Sequence, residues 1–260
     1  MCKIVTILMT FMSGYGLLGQ EQIKTIELSA PLKPPYYFKG PNGVTGLIVD
    51  FTRCLFDDSG YQAQISISPV SRILEDVRSK PGSCSIGWFQ TPERSQFAKF
   101  SEPIWHENQY SVIVHSKKKN SIQSKHESFE SLLRDPHFRM IFPKGVSYGP
   151  AIDRWMTHLK SKEVVTGNFR QVIAMLSLGR ADYALVNPPE WEFYHKQVMQ
   201  GRPTKTLDFL SFPDLKQATS RHIMCHSESS QQTIATINTL IDARAEICNT
   251  MARKNQERHF

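Results

Sequence analysis

Between Thr25 and Arg253 the chain keeps switching between two hydrophobic periods, and this switching constrains its fold more than any other feature. "TIELSA" (25–30), "YQAQISI" (61–67) and "SCSIGWF" (83–89) alternate or run apolar as strands do. "DFTRCLF" (50–56), "SRILEDVR" (71–78) and "FRQVIAML" (169–176) place apolar residues at helical spacing. Strands interleaved with helices make an α/β protein. No internal repeat or long low-complexity tract interrupts the pattern, which excludes a solenoid.

The pattern occurs twice. In the first unit Asp50 stands where a helix N-cap is expected, and "PLKPPYYFKGPNGVTG" (31–46) is too rich in Pro and Gly for regular structure. "KKKN" (117–120) reads as a solvated linker into a second unit, where Pro150 falls near the first turn of a helix. "ADYALVNPP" (181–189) reads as a strand broken by prolines, and a long helix runs from about Ser229 to Arg253. "SVIVHS" (111–116) and "HIMCHS" (222–227) are matching short apolar strands that bracket the second unit. They are expected to pair as the two crossovers between lobes, with the second lobe inserted into the first. The division expected is a leader over residues 1–20, a first lobe from 21–112 and 223–260, and a second lobe from 113–222.

At the N-terminus Lys3 precedes the apolar run Ile4–Met12, followed by small residues before Glu21. This is the layout of a secretory leader, too short to span a bilayer, and it predicts a periplasmic protein. Cys54, Cys84, Cys225 and Cys248 remain after the leader; they allow up to two disulfides in three pairings, or buried thiols. Their scatter does not fit a zinc site, and no phosphate-cradling loop is present, so no cofactor or metal is expected. The net charge of +7 comes without a nucleic-acid motif. An anionic small ligand or an acidic membrane surface fits it better than nucleic acid does.

Several motifs then occur in order: "PPYYF", "VDF", "PVSRIL", "IGWFQTPERSQFAKFSEPI", "GVSYGPAID" and "GRADYALVNPPE". Together they resemble the amino-acid-type (family 3) periplasmic solute-binding proteins of ABC importers, over nearly all of the chain after the leader. The resemblance implies a type II-like α/β fold of two lobes joined by two hinge strands, closing on a ligand. It implies a monomer as well, whose partner is an ABC permease or a membrane sensor. It gives Arg94 the role of holding the ligand carboxylate through a bidentate guanidinium contact, aimed by the Thr91-Pro92 turn.

The sequence departs from the family where relatives hold a ligand ammonium. The two acids expected there fall on Ala30 and Asn187, leaving Glu190 or Glu192 as substitutes. An ammonium buried without charged partners is strongly disfavoured. Pro150 and Ala151 replace the polar residues that often follow Gly149, whose helix start can still receive an anion through its backbone. Cations accumulate instead: Lys33, Arg72, Arg94 and Lys144. Neighbouring strand residues face opposite ways, so one of Trp88 and Phe89 lines the cleft, Trp88 being expected; Tyr36 and Tyr37 divide similarly, with Tyr36 expected at the ligand. These residues predict a small solute with one or more carboxylates, an amino acid or related organic acid, whose amino group is weakly required or absent. Some relatives are exported dehydratases acting on cyclic dicarboxylates, which makes Glu190, Glu192, His106 and His195 the proton donors to consider. Their spacing does not call for catalysis, and a binding protein rather than an enzyme is expected.

Overall fold

A computed structural model describes residues 23–166, 168–199, 206–216, 219–228 and 230–255, with side chains at 197–199 left aside. The expected leader lies outside the described residues. In chain order the elements are β1 (Lys24–Ala30), β2 (Phe38–Gly40), β3 (Gly43–Thr45), α1 (Leu47–Phe56), β4 (Tyr61–Ile67), α2 (Val70–Ser79) and β5 (Cys84–Phe89). There follow β6 (Ala98–Phe100), β7 (Trp105–His106), β8 (Ser111–His115), α3 (Ser116–Lys125), α4 (Phe129–Arg134), β9 (Met140–Pro143) and α5 (Pro150–Met156). The chain continues through β10 (Lys162–Val165), α6 (Phe169–Ser177), β11 (Tyr183–Val186), α7 (Pro188–Met199), β12 (Leu207–Leu210), β13 (Ser220–His226) and α8 (Gln231–Lys254).

Two sheets organise these elements into two lobes. The first runs β4-β1-β5-β13-β6, with β7 on β13; β1 is parallel to β4 and β5, and β13 is antiparallel to its neighbours. The second runs β10-β9-β11-β8-β12. The first lobe is closed by α1 against α8, whose Ile237, Ile241 and Cys248 meet Phe51, Cys54 and Leu55 in one core. Each of the isoleucine, leucine and phenylalanine side chains, when fully buried, contributes about 1.5–3 kcal/mol. Two disulfides cross this lobe: Cys54–Cys248 joins α1 to α8, and Cys84–Cys225 links a register pair of β5 and β13.

Four local expectations are corrected. Asp50 is inside α1, not its cap; the helix begins after Gly46 because Leu47, Ile48 and Val49 are all buried. "KKKN" lies in α3, where lysines keep good helix propensity and the buried Ile122 anchors the turn to the lobe. Pro188 and Pro189 do not merely end β11; they begin α7, where a missing N–H costs nothing, and the Asn187 side chain accepts from Glu190 N at 3.2 Å. The Pro/Gly-rich 31–46 stretch contains the β2–β3 hairpin.

The proposed pairing of "SVIVHS" with "HIMCHS" does not form. β8 pairs with β11 and β12 in the second sheet, and β13 pairs with β5, β6 and β7 in the first. Their likeness reflects similar burial in the middle of two different sheets. The hinge contact lies beside them: Trp105 pairs with Arg221, His106 with Ser220, and Glu107 N donates to Thr219 O at 2.9 Å. Ser111–Val112 thus sit in the second sheet and Ser220–His222 in the first.

Candidate functional site

A cavity of about 440 Å³ lies between the lobes, within the size range of small-molecule sites. The first lobe contributes Lys33, Tyr37, Trp88 and Arg94, the second Lys144, Tyr148 and Glu190, and the hinge strand Arg221.

The Thr91-Pro92 turn sets Arg94. Thr91 O accepts from Ser95 N at 2.9 Å, and Thr91 Oγ1 accepts from Arg94 N at 3.3 Å, so the chain coils back under the arginine. The guanidinium then folds over the end of β5. Its Nη1 donates to Phe89 O at 2.9 Å, and its carbon lies 4.9 Å from the centre of the Trp88 ring. Trp88 is itself fixed by Nε1 donating to Ser85 Oγ at 2.7 Å. Arg94 forms no ion pair with any described residue, and burial pulls its pKa down from the usual arginine value. It lines the cavity with its guanidinium held by Phe89 O and Trp88.

Arg221, a residue the sequence reading did not single out, lies at the back of the cavity. It is 5% exposed, pairs through Nε with Glu107 Oε1, and donates from Nη1 to Gly87 O at 2.7 Å. Its guanidinium lies 4.1 Å from the Phe89 ring centre, and Nη2 is buried without a hydrogen-bond partner among the described residues. Glu107 Oε2 accepts from Tyr36 OH at 3.0 Å and from Asn187 Nδ2 at 3.1 Å. One carboxylate therefore ties the loop after β1, the hinge and the start of α7 together. The only sequence signals were a lone arginine opening an apolar strand and a lone glutamate after "PIWH"; neither pattern is specific.

The other expected site residues divide into two groups. Lys33 and Glu190 both line the cavity and meet across it, Lys33 Nζ lying 3.4 Å from Glu190 Oε1. Trp88 lines it too, but so does Phe89, because Trp88 packs toward α2 while Phe89 lies beneath Arg221. Tyr36 is fully buried behind the wall holding Glu107; Tyr37 is the ring at the cavity. Arg72 is not at the site: its exposed side chain pairs with Asp76 at 3.4 Å along α2. Gly149 and Asn187 also lie outside the lining. Gly149 caps α5 at φ +100°, where a Cβ would approach Thr219 Cγ2 to 2.7 Å, and Asp153 already takes Tyr148 N at 2.8 Å. Lys144 does line the cavity. His106 bonds Ser220 at the hinge, His195 stacks on Trp191, and Glu192 pairs with Lys196; none lines the cavity.

Two α/β lobes around a charged interlobe cavity define a bilobal solute-binding protein. The chain belongs to the bacterial extracellular solute-binding proteins, family 3, whose model matches residues 28–246. No curated protein matches it. Among solved structures it is similar to an ancestral amino-acid-binding protein described as a precursor of cyclohexadienyl dehydratase (16% identity, TM-score 0.67, 89% of this chain and 95% of that one). It is also similar to a histidine kinase sensor domain with similarity to periplasmic binding proteins (15%, 0.69, 91% and 97%). A third similar chain comes from work on glutathione import via GshT and the cystine ABC importer TcyBC of Streptococcus mutans (14%, 0.68, 91% and 94%). At these identities the likeness shows the fold alone.

Proposed function

We propose that the protein is exported and captures a small carboxylated solute between its lobes, delivering it as a monomer to an ABC permease. The observation that carries this reading is the charge of the cavity wall. Lys33, Arg94, Lys144 and Arg221 line it, against Glu190 as the one acid among the described lining residues. Glu190 is matched by Lys33 and Arg221 by Glu107, which leaves Arg94 on one lobe and Lys144 on the other without ion-pair partners among the described residues. A carboxylate on Arg94 gains the fork geometry that ammonium groups lack. Contacts to both lobes favour the closed form by the difference in affinity between closed and open states.

Two disulfides support an oxidising compartment, and so does the family's extracellular character. The sensor-domain neighbour favours a second reading, in which the closed lobes are read by a membrane receptor. Binding without turnover is the reading adopted; the cavity carboxyl that would have to donate a proton, Glu190, is engaged by Lys33. Calorimetry and thermal shift across amino acids, keto acids and dicarboxylates test the proposal, with turnover followed on cyclic dicarboxylates. Silence across the panel, or binding that survives Arg94→Ala unchanged, overturns it.

A further inference from the structure

An amino-acid site needs an acid free to receive the ligand's ammonium. Three acids beside this cavity, Asp153, Glu107 and Glu190, are already engaged. Asp153 accepts from Ser147 Oγ at 2.5 Å and Tyr148 N at 2.8 Å. Glu107 is enclosed by Arg221, Tyr36 and Asn187. Glu190, the acid that reaches the wall, faces the amine of Lys33.

That lysine is held in place. Its backbone N–H donates to Tyr37 O at 2.9 Å, and its carbonyl accepts from Tyr36 N at 2.9 Å, so the turn presents a fixed stem. Its Nζ lies 5.4 Å from the centre of the Tyr36 ring, and only a fifth of its side chain is exposed. The contact joins a first-lobe loop to a second-lobe helix, which is the bridge a ligand ammonium would otherwise make. Burial lowers the Lys33 pKa and raises that of Glu190, as expected for a pair removed from water.

We infer that Lys33 is a built-in ammonium: it occupies the place opposite Glu190 and makes the protein selective for carboxylic acids that carry no α-amino group. An incoming ammonium has to displace a tethered lysine and enter a wall that also holds Arg94 and Arg221. Lys33 is thus a specificity-determining residue, and the inference rests on the reading that Arg94 takes the ligand's carboxylate.

The test uses matched pairs: common L-amino acids and their deaminated counterparts, such as glutamate with glutarate, aspartate with succinate and phenylalanine with 3-phenylpropionate. On the wild-type protein, calorimetry is expected to give at least about tenfold tighter binding for the acid lacking the amino group, the scale of one charged hydrogen bond. Lys33→Ala and Lys33→Met, checked for folding by circular dichroism, are expected to narrow or reverse that ratio by about tenfold. Adding Glu190→Gln is expected to cancel the gain. Equal or better binding of the amino acids by wild type, which needs no variant, overturns the inference while leaving carboxylate capture standing. An unchanged ratio in both Lys33 variants overturns it too. No binding of either set removes the carboxylate reading, and this inference falls with it.

Discussion

The guanidinium of Arg221 and the carboxylate of Glu107 meet at the hinge with both side chains buried, and Glu107 extends the contact to Tyr36 and Asn187. Removing one charge strands the other. Glu107→Gln is expected to lower stability by about 3–5 kcal/mol, read as a denaturant midpoint. Pairing Glu107→Leu with Arg221→Met should recover much of the loss, since neither charge is then left alone. A single variant as stable as wild type would contradict a tightly buried pair.

Arg94 stands apart from that network, so its loss should cost binding and little stability. Arg94→Ala is expected to weaken the bound carboxylate by about 10–100-fold, the scale of 1.5–3 kcal/mol for charged hydrogen bonds. Arg94→Lys keeps the charge without the fork and should fall between. Titration calorimetry beside an unliganded thermal melt separates the two effects.

Gly87 is the backbone point on which the back wall rests. Its carbonyl accepts from Tyr37 OH at 3.2 Å and from Arg221 Nη1, and its φ of +82° suits glycine. A Cβ there would stand 2.6 Å from the Tyr37 ring. Gly87→Ala is expected to cost about 1–3 kcal/mol from backbone strain and overpacking, and to weaken ligand binding as the tyrosine moves. An unchanged melt and unchanged affinity would argue against this packing.

Peptide mapping under non-reducing conditions should recover Cys54 linked to Cys248 and Cys84 linked to Cys225. Replacing both members of either pair by serine is expected to lower stability by about 2–5 kcal/mol. The second lobe has no disulfide among its described residues, so reduction should act on the first lobe.

Alkaline pH probes the buried phenols. Burial pushes Tyr37 from its ordinary value of 10.0 up to about 12, and holds Tyr36 and Tyr110 well above that ordinary value. Above pH 10 the unfolded chain has released protons that the folded chain retains, so stability falls as pH rises. Tyr37 alone contributes a loss of about 1.4 kcal/mol per pH unit between 10 and 12. Urea melts of wild type and Tyr37→Phe over pH 9–12 should diverge in slope; parallel curves would refute the shift.

The α/β character was legible because burial writes its period into the sequence: β4 alternates, α6 repeats at helical spacing, and Pro150 falls at a helix start. Local signals failed where distant packing prevailed. Lysines in α3 look like linker until Ile122 finds a core, and two prolines look like a stop until Asn187 caps a helix on them. Arg72 and Arg94 look alike as lone arginines, yet one faces water beside Asp76 and the other the cavity.

By itself the sequence determined the strand-and-helix order, the family resemblance and the position of Arg94, since each is carried by neighbouring residues. Only the tertiary structure decided that Arg221 meets Glu107, that Lys33 faces Glu190, and which cysteines pair. These contacts join residues more than a hundred positions apart. They arise only once two sheets and a hinge have brought them together, and no short-range period in the chain records that distance.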